Sequence, residues 1–112
     1  MRRALCATLA AVLSLCGAGS HAKVRDGDQL LAQCTATIGA HVNFCFGYID
    51  AVVDLLLENN GIDGFTACIS NELDDPQLRN IVIQFLKRNE TLQTLPAPNL
   101  IARALSEVFP CR

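Results

Sequence analysis

Apolar residues recur along this chain at two densities. From Ala4 to Leu15 they run almost without a break, whereas from Asp28 onward they return every third or fourth position. The second spacing is that of a helix with one face turned inward. Leu30, Leu31, Cys34 and Ile38 define a first helix, with Asp28 placed to cap it and Gly39 at its end or just beyond. The polar stretch ahead of it, Lys23 to Gly27, is expected to fray. Val42 to Leu57 predicts a second, longer helix. Phe44, Cys45, Tyr48, Ile49, Val52, Val53, Leu55 and Leu56 form its inward stripe. Asn43, Gly47, Asp50, Asp54 and Glu58 fall on the other side, and Asn59-Asn60-Gly61 marks its end.

Ile62 to Leu73 breaks the helical spacing and reads as an irregular connection held by a disulfide at Cys68. Asp74-Asp75-Pro76 then starts a third helix, an acidic cap followed by a first-turn proline. Its inward positions are Leu78, Ile81, Val82, Phe85 and Leu86, and Lys87 and Arg88 complement the dipole at its end. After a loop from Thr91 to Pro96, Pro98 opens a fourth helix with Leu100, Ile101, Ala104, Leu105 and Val108 inward. Pro110 terminates it. The fold class is therefore all-α, a compact four-helix domain.

The dense N-terminal run changes the picture of where the protein works. Arg2 and Arg3 precede the apolar stretch Ala4–Leu15, and Ser20-His21-Ala22 follows with small residues at the positions a signal peptidase reads. Residues 1–22 are expected to be a signal peptide, with cleavage after Ala18 or Ser20 as alternatives, and 23–112 a single helical domain in the periplasm. Cys16 follows the bulky Leu15, which argues against a lipid anchor. The apolar run is too short to span a bilayer stably, so no membrane attachment is expected after cleavage. The mature part carries seven basic and eleven acidic side chains, a formal charge of −4. That balance argues against nucleic acid and anionic membranes and suits a basic protein partner.

Cys34, Cys45, Cys68 and Cys111 remain after cleavage. An even number in a small exported chain implies two disulfides, which offset the limited core of about 90 residues. Short loops favour antiparallel neighbours. The first two helices then form a hairpin turning near residues 39–41, with Cys34 and Cys45 on either side of the turn. The fourth helix should return Cys111 towards Cys68. The pairing Cys34–Cys45 with Cys68–Cys111 follows, although Cys111 could also reach the first helix. No C-x-x-C pair exists and His41 is the single mature histidine, so neither a zinc site nor any other metal or cofactor is expected.

Candidate chemistry is sparse. No nucleophile has a base and an orienting group beside it, and no phosphate-binding loop is present, so the chain does not read as an enzyme. His41 suits a cap or the surface. Asp50, Asp54 and Glu58 follow at spacings of four, an acidic ridge that could dock a basic patch or be a solvated face. Gly47, inside the second helix, suggests a close helix crossing there, with the fourth helix as a candidate neighbour and Tyr48 in the core with its hydroxyl on a polar partner, in preference to a binding role. Phe65, in Gly61-Ile62-Asp63-Gly64-Phe65, is either an exposed anchor for a partner or a cover over the core.

The ordered pattern resembles the Rap/Tai immunity proteins, which protect bacteria from peptidoglycan amidases delivered by type VI secretion. The matching features are Cys34, then Cys45 ahead of Gly47-Tyr48-Ile49 with Asp54, then Cys68, Gln77-Leu78, Ala104-Leu105 and Phe109-Pro110-Cys111. They span nearly the whole mature chain. Departures fall at Ala51, where the family has Gly, at Ser70, at Asp74 or Asp75 in place of a Thr-type cap, and at Asn89 in place of Pro. The resemblance implies a periplasmic all-α domain, often dimeric, that blocks a secreted amidase by inserting a surface element. The helical stripes could bury against a second copy or only against one another. The alternative function is a periplasmic structural or adaptor protein of the envelope with no toxin partner.

Overall fold

A computed structural model describes residues 24–112 of the chain. The signal-peptide expectation, residues 1–22, lies outside the described residues. Four helices form the domain: α1 Gly27–Cys34, α2 Gly39–Glu58, α3 Asp75–Arg88 and α4 Ala97–Val108, with a 3₁₀ turn at Glu90–Leu92. All four contribute to one core. Leu30, Ile49, Leu56, Val82, Phe85, Leu86, Leu100, Ile101 and Leu105 are almost fully buried in it.

Each helix boundary has a local cause. Asp26, not Asp28, caps α1. Gln29 stands three residues on and completes a reciprocal capping box, with the Gln29 N–H donating to Asp26 at 2.8 Å and the Asp26 N–H donating to Gln29 at 3.1 Å. Within the expected fraying stretch, Arg25 to Gly27 is not frayed. Gly27 donates to the Leu95 carbonyl, Asp28 to Gln93, and Ala97 to Arg25, so the start of α1 is stitched to the approach to α4. A Cβ on Gly27 would lie 2.5 Å from Leu100 Cδ1 and 3.2 Å from the Gln93 Cα, so the close crossing expected at Gly47 occurs here. A Cβ on Gly47 would meet nothing within 4 Å. Helix α1 stops at Cys34, earlier than expected, and the Thr35 N–H and hydroxyl both donate to the Leu31 carbonyl, at 3.0 and 2.7 Å. Gly39 consequently opens α2 rather than closing α1, and Ile38 is left 62% exposed in the turn.

Helix α2 ends in a Schellman-type cap. Asn60 adopts φ 54°, and the Gly61 N–H donates to the Leu56 carbonyl at 3.0 Å. Asp74 caps α3 in a second capping box with Gln77, and Pro76 sits in its first turn. At the family departures, side chains make local hydrogen bonds. Asn89 donates to the Phe85 carbonyl at the end of α3, and the Ser70 hydroxyl accepts from the Glu72 N–H. Both disulfides pair as expected, Cys34–Cys45 across the α1–α2 turn and Cys68–Cys111 between the irregular connection and the chain end.

Candidate partner-binding surface

Helix α2 is apolar around more of its circumference than three neighbouring helices can cover. Cys45, Ile49, Val52 and Leu56 are buried, as the inward stripe predicts. Phe44 and Leu55, expected in that stripe, are instead 40% and 50% exposed, and so is Val108 of α4 at 48%. Helical geometry sets Phe44, Tyr48, Ala51 and Leu55 on one line, at i, i+4, i+7 and i+11, beside the core-facing row. Phe44 stacks on Tyr48 with ring centroids 5.8 Å apart, and the Arg25 guanidinium lies 4.6 Å from the Phe44 ring centre. Burial raises the Tyr48 hydroxyl above its ordinary pKa, with Arg25 pulling the other way. The Tyr48 ring packs half-buried against the core, as expected, but no hydrogen bond to its hydroxyl is found among the described residues, and its outer face joins the exposed stripe. Among the described residues α2 is also the one helix long and apolar enough to cross a membrane by length and composition. Its disulfide to α1 and its row of core residues account for that composition as a core helix with one face left open.

The acidic ridge lies on the far side of this stripe. Asp54 and Glu58 are exposed, and Asp50 is half-buried. The Asp50 carboxyl is held above its ordinary pKa, first by burial, then by a hydrogen bond to the Asp75 side chain and by the charges of Asp75 and Asp54. The ridge therefore continues across the helix junction onto the first turn of α3. His41 lies exposed in the first turn of α2, which has no side-chain cap, so its role is at the surface.

Beyond the end of α2 the chain forms a two-residue hairpin. Ile62 and Phe65 exchange both backbone hydrogen bonds, at 3.0 and 2.9 Å, and the central residues Asp63 and Gly64 have φ of 53° and 79°. Two positive φ values make a type I′ turn, a rigid tip with the Asp63 carboxylate exposed. Phe65 does not extend as a free anchor. It lies half-buried against the core, with Arg103 5.6 Å from its ring centre. The sequence reading missed Asp63, although Asp-Gly between apolar residues is the established signal for such a turn. An open groove of about 510 Å³ lies beside the hairpin, lined by Leu56, Leu57, Asn60, Ala67, Ile69 and Cys111 among others. Among the described residues no three potential ligand side chains gather to hold a metal.

The family model of the Rap1a immunity proteins matches residues 26–111. This chain belongs to that family. The match begins at the Asp26 cap and ends at Cys111, so it takes in all four helices, both disulfides and the hairpin. No curated protein and no solved structure matches the chain.

Proposed function

We propose that this protein is a periplasmic immunity protein that binds a peptidoglycan amidase delivered by type VI secretion and blocks its substrate cleft sterically. Family membership over residues 26–111 carries this reading. The surface chemistry is consistent with it. The Asp63 tip is preorganised by its turn, so little conformational entropy would be lost when it enters a cleft. The carboxylates of Asp54 and Glu58 sit on the preceding helix, where they would steer a basic cleft mouth towards the tip. The protein contributes occlusion rather than catalysis. The uncovered line of Phe44, Tyr48, Ala51 and Leu55 is the natural seat for a second copy, with small Ala51 allowing the helices to approach.

Two measurements test the reading. Stoichiometric addition of the mature protein should abolish amide cleavage of peptidoglycan by its effector. Sedimentation of Leu55→Asp should show a monomer where the parent protein is a dimer. Undiminished cleavage at excess protein would sink the inhibitor reading, and a monomeric parent protein would sink the dimer.

A further inference from the structure

The two disulfides occupy opposite environments. Cys34 and Cys45 are 1% and 0% exposed, sealed between α1 and α2. Cys68 and Cys111 are both exposed, and both line the open groove beside Leu56 and Leu57. Thiol–disulfide exchange needs a thiolate to reach a sulfur, so access decides which bridge reacts first.

The segment under the accessible bridge is otherwise lightly held. Residues 61–74 contain no helix. Their backbone tie to the end of α4 is the hydrogen bond from the Cys68 N–H to the Phe109 carbonyl, 2.8 Å long. Ala67 reaches the buried core, while Ile62, Phe65, Ile69 and Leu73 lie at its half-buried margin. The helices bury their own residues against one another and keep the Cys34–Cys45 staple. Segments with few buried contacts open at lower free energy than the core around them.

We propose that Cys68–Cys111 is a redox-operated clasp: a dithiol reaching the groove opens it, releasing residues 61–74 and the chain end from Phe109 onward while the four helices stay folded. The reductant's thiolate attacks one sulfur, forms a mixed disulfide and expels the other cysteine as a thiolate, which takes up a proton. The reductant's second thiol, once deprotonated, displaces the remaining cysteine and closes the reductant's own disulfide. Two electrons and two protons move from the dithiol to Cys68 and Cys111. This clasp belongs to the chain's own chemistry and stands whether or not the partner is an amidase. The released segment includes the Asp63 hairpin, which keeps its own turn but loses its fixed placement on the helices.

The test uses limiting dithiothreitol, quenched at intervals with iodoacetamide, with each cysteine followed by peptide mass spectrometry. Cys68 and Cys111 should be alkylated at least about tenfold sooner than Cys34 and Cys45. Amide hydrogen exchange at that stage should show protection lost over 61–74 and kept in the helices. Simultaneous labelling of all four cysteines would overturn the clasp, as would labelling of Cys68 and Cys111 with protection over 61–74 unchanged. The double variant C68S/C111S should show the same local loss of protection without reductant. Full protection in that variant, or collapse of its helical circular dichroism, would also overturn the proposal.

Discussion

Gly27 and Gly47 are the same residue in opposite surroundings, and they should respond to the same substitution with opposite sign. A methyl group on Gly27 would be driven into the buried Leu100 side chain and into the Gln93 backbone, whose carbonyl is tied to the Asp28 N–H. Gly27→Ala should therefore cost about 1–3 kcal/mol through overpacking. Gly47 faces open space inside a helix, so Gly47→Ala should stabilise by up to about 1 kcal/mol through helix propensity. Urea denaturation of both variants checks the pair. Asp50 gives a pH-dependent counterpart. Its folded pKa is raised, so ionisation opposes folding: its favourable contribution is present below the ordinary carboxyl pKa and is lost as pH rises through the raised value. Asp50→Asn, which stays neutral, should thus raise Tm at pH 7, and the gain should fade as the pH drops and the parent carboxyl becomes neutral too. Thermal melts of both proteins from pH 7 to pH 3 read this directly, and a gain that grows towards acid would contradict the assignment.

At the scale of elements, the helices and the bridges between them were legible because they rest on local rules. The third-and-fourth spacing of Leu78, Val82, Phe85 and Leu86 is enough to place α3, and Asp74-Asp75-Pro76 is enough to start it. The disulfides followed once the loops were short. What the spacing could not resolve was coverage. Phe44, Leu55 and Val108 share the periodicity of buried residues, yet nothing in a linear pattern tells how many neighbours surround a helix. The crossing at Gly27 was illegible for a related reason, since it depends on a loop that is distant in sequence. Asp63 was legible in principle and lay in a segment read only as irregular. The bridges carry the element-scale prediction. Closing loops of 11 and 43 residues restricts the unfolded chain by about 3 and about 4 kcal/mol respectively in the chain-entropy model. Full reduction should therefore lower Tm steeply, as differential scanning calorimetry would record, and an unchanged Tm would show that the bridges hold nothing.

The whole molecule presents three surface features: a rigid carboxylate tip, a ridge of carboxylates on the preceding helix, and an apolar stripe beside the ridge. Each should have its own signature in binding. Asp63→Asn keeps a residue that tolerates positive φ and removes the charge at the tip. It should weaken effector binding by about tenfold, mostly through faster dissociation, with Tm unchanged. Asp54→Asn with Glu58→Gln should mainly slow association and flatten its salt dependence. Surface plasmon resonance at several salt concentrations separates the two effects. Under the proposed function this scaffold neutralises a type VI peptidoglycan amidase by occupying its cleft. The most direct measurement is a titration of amide-cleaving activity, on purified peptidoglycan, of the amidase effector from the type VI secretions of the source cell. Cleavage should fall linearly to zero at one protein per effector; cleavage unchanged at a large excess would rule out the proposed inhibition.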